Sequence, residues 1–552
     1  MSHGSRQISR NSRAVGPATW LIAIAVLALL AVVAVGRRGN LAWDDADYLR
    51  RALANARISR SAGPLMFLPL AVECVLREHP KPPWLVAWIQ TGAIVFDRHH
   101  LDALILYASV VPYAILLAAV VYLGRWLGGA VGGLAALAFV IASPTSLAFG
   151  AKVMVETFLS LWVLLAYALT CRLLANPSRR AGARAGTVVG LALLTKLTTV
   201  LFLPVPLAFI LVRLARGGPD RRALLRSLAW AAVIAATIAG PWYALNAGQA
   251  VAFARFSSNY SQIAESRATS ISPGERLVLF ANDIVGWPLA ATLCGGALLG
   301  AVLVFRHRHR GNPDLDVMGL TDRQAQFSMM AWLGAGTATA VLLYPTYFDP
   351  RFLMPIWPVL AVDLGSRFSR ASPRFPLVPR IVLCAGLAAS VTSAALLVVQ
   401  TPRLTTYWNT AALLDDLVRK YGTYTLGNVG NCPDWNVCKT GLINELRDQP
   451  ATCFVLHDLT KLAGPEALRH LHQFDAIVVL GQDHLPESLR MRTPGLNRSY
   501  DVLARAVADD PMFARVTTPT IEGLPELRLY IQKRPSDATA QLSGRTPRKR
   551  RL

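Results

Sequence analysis

The chain has 552 residues, 53% of them hydrophobic and 16% charged, with a formal net charge of +23. Its apolar residues come in long blocks, more than a soluble fold buries, which excludes an ordinary soluble protein and leaves a polytopic α-helical membrane protein. The arginine clusters lie between the apolar blocks, where the orientation rule and anionic lipid account for them, so the positive charge does not point to nucleic acid.

Residues 1–17 form a basic tail. Met1 to Arg13 holds three arginines and no acid, which predicts a cytoplasmic amino terminus. Trp20 to Gly36 then spans outward as an uncleaved anchor, because no small-residue cleavage site follows it. Residues 37–100 become the first extracytoplasmic loop. Within it Tyr48 to Ile58 and Leu65 to Leu76 mix apolar and charged positions in the manner of interfacial helices. Trp84 to Phe96 is apolar over 13 residues, short of the roughly 20 that a crossing needs.

Flanking charges place the next spans. Leu101 to Leu123 runs inward to Arg125, Leu127 to Leu147 outward, and Thr157 to Cys171 inward to the basic loop Arg172 to Arg184. Residues 187–213 pose a conflict: one crossing would carry the basic stretch Arg213 to Arg226 outside, whereas two short helices return it to the cytoplasm. Pro204 and Pro206 favour the broken path, so a hairpin is predicted, with Lys196 at its tip or in the bilayer. Leu228 to Leu245, Val278 to Phe305, Phe327 to Tyr344, Phe352 to Leu364 and Ile381 to Gln400 complete about eleven crossings, with each basic cluster on one side.

Residues 401–535 change in composition. Leu426 to Val429, Cys453 to His457, Ala476 to Leu480 and Arg528 to Ile531 read as short strands between helical stretches such as Thr410 to Lys420 and Gly464 to His472. A small α/β domain on the extracytoplasmic face follows. There Cys432 and Cys438 can pair as a disulfide or stay as thiols. Residues 536–552 are a basic, solvated tail.

Chemistry concentrates in the first outer loop. Asp44, Asp45 and Asp47 are costly just beyond a membrane helix unless they face water or a cation. They read as a solvated helix end or as a catalytic base with its neighbour. His79 is either a structural residue beside prolines or, with a nearby carboxylate, a ligand for a divalent metal, the one cofactor this loop suggests. Lys81 is a snorkelling anchor or a phosphate clamp. Glu156 can pair with Lys152, and Tyr344 and Tyr347 suit the interfacial belt.

These segments together resemble a family. Asp44-Asp45-Ala46-Asp47-Tyr48 is similar to the Asp-Glu-Ala-x-Tyr signature after the first span of the C superfamily of membrane glycosyltransferases, which includes protein O-mannosyltransferases and the lipid A aminoarabinose transferase. His79-Pro80-Lys81-Pro82-Pro83-Trp84 resembles the stretch that closes the same loop. Ala151 to Thr157, Gly190 to Lys196, Pro241-Trp242-Tyr243 and Tyr347 to Pro355 resemble four further elements in the same order. The likeness covers residues 18–400 and leaves residues 401 onward without a match.

The resemblance implies transfer of a sugar, with inversion, from a polyprenyl-phosphate donor held at the membrane lipid to a glycan, lipid or protein acceptor outside. It assigns Asp44 as general base, Asp45 as its partner or a metal ligand, and Lys81 and Arg351 as phosphate contacts. Tyr48, Lys152, Glu156 and Tyr347 would line the substrate site. The alternative is a transporter or flippase of lipid-linked sugars, which would carry ionisable groups in mid-span and repeat symmetry. Here Asp283 and Asp363 are the exceptions to nearly charge-free spans, both near predicted span ends, and no internal repeat is visible.

Overall fold

The computed structural model describes residues 20–35, 44–78, 81–96, 98–217, 220–263, 322–343 and 350–371. In the C-terminal part it describes 425–429, 455–458, 470–480, 494–516 and 527–532, with a few single positions besides. The chain divides into two compact units. The first comprises Met1–Arg38, Arg51–Ser261 and Ala268–Pro402, the second Gly39–Arg50, Gln262–Arg267 and Arg403–Leu552. Cys432, Cys438, Asp283 and the expected spans Val278 to Phe305 and Ile381 to Gln400 lie outside the described residues.

The helical part of the chain up to Ala371 belongs to the first unit apart from Asp44–Arg50 at the start of α2 and residues 262–263 at the end of α10. Its elements are α1 (Trp20–Val35), α2 (Asp44–Ser61), α3 (Gly63–Leu76), α4 (Trp84–Phe96), α5 (Leu101–Ala142), α6 (Pro144–Gly150), α7 (Val155–Ala175), α8 (Arg179–Thr195), α9 (Pro204–Ala215), α10 (Arg221–Ile263), α11 (Asp322–Leu343) and α12 (Trp357–Ala371). Among the described residues, α5, α7 and the Arg221–Phe253 part of α10 are long and apolar enough to cross a membrane. The helix α5 is two arms about a turn: Gly128 has φ −130° and ψ 15°, and Gly129 has φ 66°. A left-handed φ is cheap only without a Cβ, so the glycine pair reverses the chain where two spans were expected. The second arm stops at Ala142 rather than Leu147. Ser143 caps α6 by accepting the Ser146 N–H at 3.2 Å, and Pro144 follows at the first helical position.

A further boundary differs from expectation for a reason of backbone chemistry. The span expected from Phe352 starts as a 3-10 turn over Pro350–Ile356, and α12 begins at Trp357. Pro355 lacks a donor and disfavours the α conformation at the residue before it. Residues 187–213 form a broken path, as the charge conflict required: α8, a 3-10 turn over Leu197–Leu201, then α9 with Pro204 in its first turn.

The broken path decides where the cations go. Leu173, Ala181, Ile210 and Leu224 form one buried cluster, joining the end of α7, the start of α8, the end of α9 and the start of α10. The basic stretches Arg172 to Arg184 and Arg213 to Arg226 therefore meet at one end of this helix group. Asp363, buried midway along α12, accepts hydrogen bonds at Oδ2 from Trp332 Nε1 and Arg367 Nε, each at 2.9 Å.

Close helix contact rests on small residues, since lipid tails compete with any larger apolar side chain and only backbone proximity adds attraction. Gly182, Gly186 and Gly190 form a ridge on α8 with a spacing of four. A Cβ on Gly182 would stand 2.1 Å from the Ser227 carbonyl oxygen, and one on Gly186 would stand 2.3 Å from that of Ala231. Both neighbours belong to α10. Gly365 of α12 meets the second arm of α5 in the same way, its would-be Cβ lying 2.6 Å from the Gly132 oxygen.

The second unit contains a five-stranded sheet of β1 (Thr425–Val429), β2 (Val455–Asp458), β3 (Ala476–Leu480), β4 (Phe513–Val516) and β5 (Leu527–Gln532), in the order β2-β1-β3-β5-β4. Strand β1 runs parallel to β2 and β3, while β5 runs antiparallel to β3 and β4. Helix α13 (Pro494–Asp509) contributes Tyr500, Leu503 and Val507 to the buried core that also holds Leu426 and the residues of β3. Strand β4 and α13 are additions to the expected elements.

Replacing Gly186 by leucine forces a side chain into the Ala231 backbone. We expect a loss of about 1–3 kcal/mol, read as a lower unfolding temperature of the detergent-solubilised chain. Gly240→Ala, where nothing lies within 4 Å of the new Cβ, leaves that temperature unchanged or slightly raised.

Candidate functional site

The helix α7 opens with a carboxylate. Glu156 sits in its first turn, where unpaired N–H groups favour a negative charge, yet it is 1% exposed. Burying an ionised carboxylate requires partners of opposite charge, and two distant segments supply them. Lys196, in extended conformation at the end of α8, donates from Nζ to Glu156 Oε1 at 2.8 Å. Arg351, in the 3-10 turn before α12, brings Nε to 3.9 Å from the same oxygen.

Both cations also stand over one ring. Lys196 Nζ is 4.8 Å and Arg351 Cζ 5.5 Å from the centroid of Phe352, so the negative face of the ring holds the two positive groups at a shared place. At this point two cations face one carboxylate. The carboxylate is sealed, but the side chains of Lys196 and Arg351 are 22% and 26% exposed. An anion arriving at this end of α7 thus meets the cations first. Glu156 Oε2 is buried with no hydrogen-bond partner among the described residues.

The expected pairing of Glu156 with Lys152 gives way to this arrangement. Lys152 lies in the turn between α6 and α7, with its ammonium 5.2 Å from the centre of the Phe149 ring. Lys196 reaches Glu156 instead because α8 runs back along α7 and ends beside its start.

The loop residues fall into two groups. Asp44, Asp45 and Asp47 occupy the first turn of α2, where the helix dipole favours acids. Asp45 and Tyr48 are buried, and Asp47 accepts from Arg50 Nη2 at 3.0 Å. Lys81 is half-buried just before the buried pair Pro82 and Pro83. His79 and Tyr347 lie outside the described residues. Among the described residues no three His, Cys, Asp or Glu side chains come together as a metal site would need.

A second polar cluster fixes the end of α3 just ahead of Lys81. Glu78 forms an ion pair with Arg51 of α2 and accepts from Asn55 Nδ2 at 3.0 Å. Its carbonyl accepts from Trp242 Nε1 at 2.6 Å, and the Leu76 carbonyl accepts from Asn246 Nδ2 at 2.7 Å. Sequence reasoning passed over Arg51, Asn55, Glu78, Asn246 and Phe352. The spacing of Arg51 and Asn55, four apart on one face of α2, was the available signal.

Glu156→Ala would strand two cations in the helix group. It is expected to cost about 3–5 kcal/mol, seen as a fall in the unfolding temperature of the purified chain. Lys196→Met, which leaves Arg351 facing the carboxylate, should lower it by less.

Comparisons with known proteins bear on this arrangement. Residues 79–244, which include Lys81, Glu156 and Lys196, match the family described as dolichyl-phosphate-mannose-protein mannosyltransferase. A comparison with curated protein sequences gives no match. Among solved structures, ArnT from Cupriavidus metallidurans in the apo state is similar over 93% of this chain and 98% of its own, with a TM-score of 0.57 at 15% identity. The same protein bound to undecaprenyl phosphate is similar over 92% and 97%, with a TM-score of 0.58 at 14% identity. These findings bear on the resemblance read from the motifs: residues 79–244 match a mannosyltransferase family, and the chain shares the fold of ArnT.

Proposed function

We propose that this chain transfers a sugar from a polyprenyl-phosphate carrier to an acceptor on the extracytoplasmic face of a membrane. The observation that carries the reading is the buried Glu156 with Lys196 and Arg351, which brings two partly exposed cations to the start of α7, where they suit a departing phosphate. Undecaprenyl phosphate bound to a structure of the same fold supports the choice of carrier.

In the reaction an acceptor hydroxyl attacks the anomeric carbon as the bond from that carbon to the phosphate oxygen breaks, so the configuration inverts. Asp44 takes the hydroxyl proton, and the electron pair leaves with the phosphate. Asp45 orients Asp44. Lys81, as a point charge, and Arg351, through its planar fork, hold the leaving phosphate. The carboxylate of Glu156 keeps Lys196 and Arg351 in place between turnovers, since two unopposed cations would repel one another.

The membrane topology follows the charges. About eleven crossings with the basic loops between the spans on the cytoplasmic side put the start of α7, the end of α8 and the Lys81 loop on the outer side, although the basic tail 536–552 then falls outside against the rule. The meeting of Arg172 to Arg184 with Arg213 to Arg226 at one end of the helix group supports that orientation.

Asp44→Asn keeps the size and hydrogen bonding of the side chain but removes the base. A normally inserted Asp44→Asn variant is expected to lose sugar transfer from a polyprenyl-phosphate donor, by roughly a hundredfold or more. Transfer at the wild-type rate would refute the assignment. Arg351→Ala, by removing a cation from the leaving group, is expected to lower the rate by roughly 10²–10³-fold.

A further inference from the structure

We infer that Glu78 and Arg51 are positioning residues for Lys81, an inference that rests on the reading of Lys81 as a phosphate contact. Two elements converge on residues 76–78, at and just past the end of α3. From α2, Arg51 forms an ion pair with Glu78 and Asn55 donates to it at 3.0 Å. From α10, Trp242 Nε1 and Asn246 Nδ2 donate to the carbonyls of Glu78 and Leu76 at 2.6 and 2.7 Å. Asn246 in turn donates to the Trp242 carbonyl at 2.9 Å, so the two donors are tied to each other.

The last carbonyls of a helix have no partner within it, and α3 could satisfy them with a glycine cap or with water. Here side chains from α10 take them, which fixes the direction in which the chain leaves the helix. The far side of the loop is fixed as well. Pro82 and Pro83 are buried, and the Pro83 carbonyl accepts the Ala87 N–H at 2.8 Å at the start of α4. Only residues 79–81 lie between the two anchored points, a reach of about three extended residues. The placement of Lys81 is therefore set by Glu78 on one side and by the proline pair on the other.

Stability is a poor reason for an ion pair there. The side chains of Arg51 and Glu78 are 11% and 10% exposed, and a pair at that depth barely repays its desolvation, so packed apolar residues would stabilise as well. What an ion pair adds over apolar packing is a fixed geometry. An ammonium that must meet a phosphate within hydrogen-bond distance gains from that geometry, because a displacement of about 1 Å can cost a hundredfold.

The test uses the full-length chain in lipid nanodiscs, with undecaprenyl phosphate as probe and the unfolding temperature taken on the same samples. Arg51→Met and Glu78→Gln should each weaken binding about tenfold in folded protein, while Arg51→Lys keeps most of the affinity. In a Lys81→Ala background the Arg51→Met change should have no further effect, because there is no ammonium left to place. Wild-type affinity in folded Arg51→Met, beside a clear loss in Lys81→Ala, overturns this inference alone. So does a tenfold loss that persists in the Lys81→Ala background. Wild-type affinity in Lys81→Ala overturns the phosphate reading and the inference with it. If Arg51→Met does not fold, Asn55→Ala removes one neutral hydrogen bond to Glu78 and carries the same comparison, with an expected loss of about threefold.

Discussion

A carboxylate buried at the end of a membrane helix constrains everything around it. Glu156 cannot sit ionised at 1% exposure without cations, and its own helix offers none within reach of its Oε1. The charge is met by Lys196 at the end of α8 and Arg351 before α12, so three elements far apart in sequence must end at one place. Phe352 makes the arrangement tighter, because its ring attracts both cations at once. The helix order then has little freedom: α8 must return along α7, and the turn at Pro350–Ile356 must arrive beside both.

The return of α8 is possible because its inner face carries almost no side chains. Gly182, Gly186 and Gly190 let α8 approach the backbone of α10 more closely than any Cβ would allow. This contact and the buried cluster of Leu173, Ala181, Ile210 and Leu224 keep the arginines of two loops at the opposite end from Glu156. Like charges are thereby gathered where lipid headgroups can screen them. The end that holds Glu156 is left with few cations, each tied to a specific partner.

Much of this was legible in the sequence, and the reasons differ from element to element. The break within residues 187–213 could be read because a charge rule and two prolines agreed. The span limits of α4 and the strand Ala476 to Leu480 could be read because apolar runs end where polar residues begin. The partners of Glu156 could not. Lys152 is near in sequence and made a plausible pair, whereas Lys196 stands 40 residues away and Arg351 farther still. Pairing across such separations is set by helix packing rather than by local pattern. Strand β4 was passed over because Phe513-Ala514-Arg515-Val516 has a short and weakly alternating pattern, and its place at the sheet edge beside β5 imposes little on its sequence. The glycine ridge on α8 was visible as a spacing of four, but its meaning depends on which helix lies opposite.

Two buried acids of the helical unit, Glu156 and Asp363, differ in how their charge is met. Asp363 is as deeply buried as Glu156, and it too has a cation, but that cation is Arg367, one turn on in the same helix. The pair forms wherever α12 forms, and the indole of Trp332 completes it. Such a pair stabilises a helix and asks nothing of the rest of the chain. Glu156 draws its cations from two other elements, leaves both partly open to approach, and keeps a buried oxygen without a hydrogen bond among the described residues. Desolvating a carboxylate oxygen without a donor is costly, and a fold that needed only stability would have filled that place with a donor or an apolar side chain. On the proposed reading the cost is understandable, because Arg351 must be able to turn from Glu156 to the leaving phosphate and back, which a fully bonded carboxylate would oppose.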